Sequence, residues 1–205
     1  TRSLRSNMLA RCLVDARARL LCASGSTTRV GVGLSLHLSL QLEPALEFVP
    51  TEPPQGWHVL NDAYHEGQTD LTTLKSFFVA LGIADFVAIV PSVDGSDWAS
   101  PACNALLSAL CAAGDRKRLR LFASGLCDHW PSLKQFATRV DGDDSSPSEF
   151  VLSLRRHAWL PSSTNELHRP SELWVRTPEL EAILGLSGTA WAVLQLPDDL
   201  SRALG

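Results

Sequence analysis

Histidines, cysteines and carboxylates are where this chain could do chemistry, and their spacing decides what kind. His129, His157 and His168 are the candidates for a proton carrier, because imidazole exchanges protons near neutral pH. His157 and His168 bracket a turn within residues 150–184, FVLSLRRHAWLPSSTNELHRPSELWVRTPELEAIL. A hydrolytic enzyme whose site gathers these histidines in space is therefore one candidate function. The local signatures of catalysis are missing. Neither Gly33-Leu34-Ser35 nor Gly185-Leu186-Ser187-Gly188 completes a G-x-S-x-G elbow, and no glycine-rich run leads to Gly-Lys-Ser/Thr. His65-Glu66 lacks the second histidine that a metalloprotease helix needs. Gly31 and Gly33 form a G-x-G with no third glycine or helix start behind it, which does not make a dinucleotide loop. A histidine beside tryptophan and proline is read as a hydrogen-bonded structural residue, so no catalytic, cofactor-binding or metal-binding residue is assigned.

The other donor groups also read as structural. Cys12, Cys22, Cys103, Cys111 and Cys127 contain no C-x-x-C pair and are odd in number, which fits a reducing compartment better than a disulfide framework. Cys127 and His129 are too isolated to make a zinc set. Residues 141–148, DGDDSSPS, have carboxylates but neither the ligand order nor the terminal glutamate of a calcium loop. They are expected to form a solvated turn whose Ser148 caps the next helix. In Pro170-Ser171-Glu172-Leu173-Trp174, Glu172 is expected to satisfy backbone amides at a turn. Trp159 and Trp174 are expected to pin the reversal of the chain to the core. Trp159, Arg169, Glu172 and Trp174 are the candidate interaction or structural anchors, with Arg169 and Trp174 the best placed for docking.

The elements that must hold these residues follow from hydrophobic period and punctuation. An amphipathic helix is expected over residues 4–23. Residues 30–42 then alternate strictly, with Val30, Val32, Leu34, Leu36, Leu38, Leu40 and Leu42 on one face, which predicts one long amphipathic strand. The prolines at 50, 53 and 54 suggest a boundary between residues 1–52, a helix plus strand, and residues 57–205, a helix-rich domain. Within the latter, Asp70 or Thr72, Ser100, Asp115 or a neighbour, Ser148 and Thr177 are cap signals. Pro101 and Pro178 occupy first turns, and Gly82, Gly114 and Gly185 are stops. Pro131 is expected to interrupt the helix from Arg116, and residues 83–90 and 191–196 are expected as strands. The fold class is therefore α+β, helix-rich, with a few short strands and the long N-terminal one.

Composition narrows function further. Of 205 residues, 45% are hydrophobic and the formal charge is −4, with a pI near 5.8. That supports a core and argues against a nucleic-acid partner, since Arg116-Lys117-Arg118-Leu119-Arg120 reads as the solvated face of a helix. No run approaches the ~20 apolar residues of a membrane span. Residues 198–205 look like a helix cut short and Thr1 is no initiator, so a piece of a longer protein is expected.

Two stretches carry a resemblance. Trp57-His58-Val59-Leu60 through residues 74–87, LKSFFVALGIADFV, followed by Asp97-Trp98-Ala99-Ser100-Pro101, is similar to the pattern of plant NO VEIN-like proteins. Trp159-Leu160-Pro161 through Leu167-His168-Arg169-Pro170-Ser171-Glu172-Leu173-Trp174 and Ile183-Leu184-Gly185 resembles them too, and more loosely sacsin-type repeats. The resemblance implies a non-catalytic scaffold or protein-interaction segment of a very large protein whose ATPase-like module lies elsewhere. It implies a chaperone-like or regulatory setting, an intracellular and nuclear place, and a part in plant development. Neighbouring modules of the same chain or other proteins would be the partners. The Glu/Asn helix and Asp-x-Gly-x-Gly loop of such an ATPase are absent here, so no nucleotide-binding residue is implied.

Overall fold

Each long helix begins where a short polar side chain meets amides that have no partner inside the helix. The computed structural model describes residues 19–21, 27–29, 36–37, 58–59, 62–64, 70–81, 83, 86–140, 146–185 and 189–205. Asp70 opens helix α1 (Leu71–Ala80), its carboxylate accepting from Thr73 N at 3.0 Å. Ser100 opens α2 (Pro101–Ala113), and Pro101 takes the first position, where a missing N–H costs nothing. Asp115 opens α3 (Arg116–Leu133), accepting from Arg118 N at 3.1 Å. Ser148 opens α4 (Glu149–Arg156), and Thr177 opens α5 (Pro178–Leu184) with Oγ1 3.3 Å from Leu180 N. α6 (Asp198–Leu204) follows Pro197. Gly114 stops α2 in the left-handed conformation at φ 63°, and Gly185 stops α5 at φ 72° with an extended ψ of 173°, positive φ values that glycine adopts without strain.

Two of these caps also staple the chain that precedes them. The buried Ser100 hydroxyl donates to Ala88 O at 2.6 Å, and the buried Ser148 hydroxyl donates to Phe136 O at 2.7 Å. A cap of this kind contributes about 1 kcal/mol, and these two each fix a loop as well.

The described strands are two or three residues long and come in pairs. β1 (Arg19–Leu21) and β2 (Thr27–Arg29) are antiparallel, with Arg19 opposite Arg29. β3 (Leu36–His37) and β4 (His58–Val59) are parallel, and β5 (Val90–Pro91) pairs antiparallel with β6 (Trp98–Ala99). β7 (Leu160–Pro161) pairs antiparallel with β8 (Leu167–His168). The architecture is thus helix-rich α+β. Of the long strand expected over residues 30–42, Leu36–His37 is described and extended, and the remainder lies outside the described residues. The stop at Gly82 and the loop at 141–145 also lie outside them.

Four expectations change. Arg19–Leu21 is strand where the periodicity predicted the end of a helix, because pairing with Thr27–Arg29 overrides a moderate local helical pattern. Ile83, Phe86, Val87 and Ala88 are buried as expected, but they are irregular, and the strand is confined to Val90–Pro91. Pro131 does not end α3, which runs to Leu133. With two residues remaining, one lost N–H is outweighed by burial of Trp130 and Leu133. Residues 191–196 join their neighbours by single bridges at Trp191 and Ala192, not as a strand.

The core lies where α2, α3, α4 and α6 meet. Leu106, Leu107, Leu110, Leu119, Phe122, Leu126, Phe150, Leu154 and Leu200 are buried together with Phe78, Phe86 and Trp159. Phe86 stacks on Phe122 with centroids 5.5 Å apart and passes Gly125 so closely that a Cβ there would stand 2.7 Å from its ring. Gly125 therefore admits α3 to Phe86.

Burial also silences the thiols. Desolvation pushes Cys103 up to about 12, and burial, reinforced by the Asp128 carboxylate, pushes Cys127 up to about 11. Because the thiolate is the nucleophile, a raised pKa leaves both protonated at pH 8. Iodoacetamide at pH 8 should leave Cys103 unmodified in the native protein and modify it in urea, as read by peptide mass spectrometry.

Trp159 is 0% exposed and pins the reversal to the core as expected, whereas Trp174, expected there too, is 50% exposed and lies outside it. Trp159→Ala should cost about 3–5 kcal/mol. Trp174→Ala should cost about 1 kcal/mol or less. Urea unfolding followed by circular dichroism measures both, and equal losses would contradict this assignment.

Candidate functional site

The residues after α4 are placed by that helix's own unsatisfied carbonyls. His157 Nδ1 lies 2.8 Å from Ser153 O, and Trp159 Nε1 donates to Leu154 O at 2.8 Å. Both carbonyls belong to the last turn of α4, where no intrahelical amide reaches them. Trp159 then inserts against Phe122 edge to face, with centroids 5.4 Å apart, and is wholly buried. Its position fixes β7 on α3.

The hairpin that follows is built by its turn. Ser162 is buried and pairs its N–H with Glu166 O at 2.9 Å, while its hydroxyl accepts from Glu166 N at 3.3 Å. Asn165 adopts φ 64°, a left-handed conformation that asparagine tolerates, and its Oδ1 accepts from Arg120 Nη2 at 3.0 Å. The chain returns through β8 to Arg169, whose N–H donates to Glu172 Oε2 at 2.9 Å. Glu172 therefore caps the short 3-10 turn Pro170–Glu172. His168 lies between two carboxylates, with Nδ1 3.9 Å from Glu172 Oε2 and Nε2 3.8 Å from Glu166 Oε2. These distances bring ion pairing only to a protonated ring.

Beyond Glu172 the chain forms the outside of a narrow strip. Trp174 N donates to Ala190 O at 3.1 Å and Ala192 N donates to Trp174 O at 2.9 Å. Ser163 N donates to Trp191 O at 2.8 Å and Val193 N to Pro161 O at 3.3 Å. Residues 190–193 are thus clamped between the hairpin and Trp174, and Trp191 is buried beneath them. Large apolar side chains are exposed along it: Trp174 is 50% exposed, Val175 42% and Val193 54%. A cavity of about 500 Å³ opens there, lined by Ser163, Val175, Arg176, Trp191, Val193 and Gln195 among others. Arg176 grips Glu181 through two hydrogen bonds, 2.8 and 3.1 Å, which hold the Glu181 carboxyl below its ordinary range.

The structure joins Arg169 to Glu172 and His168 to Glu172, and separates Trp159 from Trp174, one in the core and the other on the surface. It gives the three histidines different surroundings. His129 stacks on Phe86 at 5.0 Å, while His157 Nε2 lies 2.9 Å from Ser108 Oγ. A carbonyl oxygen can only accept, so His157 Nδ1 carries the proton toward Ser153, and Nε2 of the neutral ring accepts from Ser108. That is the contact order of a nucleophile and its base. Ser108 sits in the interior of α2, however, where the backbone amides are used by carbonyls one turn earlier, so those of the helix around it are not free to bind an oxyanion. Sequence reasoning did not reach the Ser108–His157 contact, the burial of Trp191 or the apolar strip, and no local pattern encodes partners 49 residues apart in the case of Ser108 and His157. Among the described residues no three His, Cys, Asp or Glu side chains stand in metal-holding geometry, and no helix is long and apolar enough to cross a membrane.

No protein-family model matches the chain, and no solved structure matches it. It is similar to Protein NO VEIN of Arabidopsis thaliana, 25% identical over an alignment 169 positions long that covers 64% of this chain. The match supports a likeness to NO VEIN-like proteins and gives none to sacsin-type repeats. The chain spans 6% of that relative's length, so the relationship is distant and partial.

Proposed function

We propose that this chain is a non-catalytic scaffold or protein-interaction segment of a large NO VEIN-like protein, working through contacts with neighbouring modules or other proteins. Its ATPase-like module would lie elsewhere, and the setting would be nuclear. The observation that carries this is the exposure of Trp174, Val175 and Val193 on segments hydrogen-bonded to one another and to the hairpin behind them. Large apolar side chains gathered on a fixed surface are characteristic of contact sites. The ATPase-like module of the NO VEIN-like relative, titrated with this chain in calorimetry, should bind. Trp174→Glu should weaken that binding by at least about tenfold, ~1.4 kcal/mol. Absence of association, together with no partner recovered by proximity labelling in cells, would sink the proposal.

One observation favours a hydrolase as the second reading, the 2.9 Å contact between Ser108 Oγ and His157 Nε2. A fluorophosphonate probe separates the two. The scaffold reading expects no labelling of Ser108 and the same background ester hydrolysis in the wild type and Ser108→Ala. Labelling at Ser108 that disappears in His157→Gln would establish the hydrolase instead.

A further inference from the structure

The backbone of the apolar strip says more than its side chains do. Leu173 has φ −107° and ψ 144°, and Thr177 has φ −123° and ψ 153°, so the segment is extended at both ends. Trp174 turns its N–H and C=O inward, to Ala190 and Ala192. In an extended chain the next residue turns its backbone groups the other way. Val175 N–H and C=O therefore face outward, and no described residue bonds to them. A helix has no free backbone groups with which to meet such an edge, whereas an extended chain has them at matching spacing.

We propose that residues 173–177 are an open sheet edge that takes an extended segment of a partner protein as an added strand. This rests on the interaction-segment reading and names the form of the partner. Alternate side chains of the incoming strand are apolar, one of them entering the cavity of about 500 Å³ beside Val175, Trp191 and Val193. Exposed Glu172 and Glu179 flank the edge, while Arg176 is occupied by Glu181. The segment consequently carries Lys or Arg at its ends.

The test uses the whole 205-residue chain and a fluorescent peptide of alternating valine and threonine flanked by lysines. A second peptide is N-methylated on alternate residues, which removes the donors of one strand edge. The plain peptide should bind by fluorescence anisotropy and shift the Val175 amide resonance. N-methylation should weaken binding by about tenfold or more. Val175→Pro, which removes the outward N–H at a position where an edge strand tolerates proline, should do the same, and Val175→Thr should not. Equal binding by the methylated peptide, or no binding of the plain peptide at millimolar concentration, would overturn the proposal. If Val175→Pro does not fold, the methylated peptide decides alone. If the ATPase-like module binds Val175→Pro as well as wild type, strand addition fails and the interaction reading stands; if it binds neither protein, both fail.

Discussion

The indole of Trp159 is the contact on which the rest of this structure depends. Its ring is sealed against Phe122 of α3, and its N–H closes on Leu154 O at the end of α4. One side chain thereby fills the core, satisfies an orphan carbonyl and sets the direction in which the chain leaves the helix. Large apolar burial and a paired donor together are what make a buried tryptophan stabilising; either alone would contribute less. Everything downstream inherits its place from this contact: β7, the Ser162 turn, the return at β8 and, across the bridges at Ala192 and Trp191, the outer segment at Trp174.

That dependence explains how a surface with few regular strands is held in place. The hairpin has two-residue strands, and an isolated hairpin is marginal in water. Here it is backed by α3, tied to it through Arg120 and Asn165, and covered by residues 190–193. The apolar strip is thus displayed on a support that does not need the partner in order to exist. Fixing a binding surface in advance lowers the entropy lost on association.

The buried serines show a related economy. Ser100 and Ser148 each accept from an amide of the helix they open and donate to a carbonyl 12 residues earlier in the chain. The Asp94 turn between β5 and β6 works in the same way on the surface. The Ser92 hydroxyl and the Ser96 N–H hold its carboxyl down to about 2. Folded-state stabilisation from Asp94 is therefore present above the ordinary aspartate range and fades as pH falls toward 2.

Short-range chemistry made much of this legible in the sequence. Ser100, Ser148 and Thr177 cap the helices they were expected to cap, Asp70 rather than Thr72 caps α1, Asp115 rather than a neighbour caps α3, and Gly114 and Gly185 stop α2 and α5, because a cap is a contact between neighbours in the chain. The capping role of Glu172 was legible for the same reason, and so was the helix-rich α+β class. What needed the tertiary structure was everything set by distant partners. Arg19–Leu21 became strand through its pairing, Ile83, Phe86, Val87 and Ala88 were buried without regular form, and α3 continued past Pro131 because Trp130 and Leu133 are packed. Trp159 and Trp174 are the same residue type, 15 positions apart on either side of one turn. Only the fold decides that one lies beneath Phe122 and the other faces solvent, since burial belongs to the assembled surface and not to the residue.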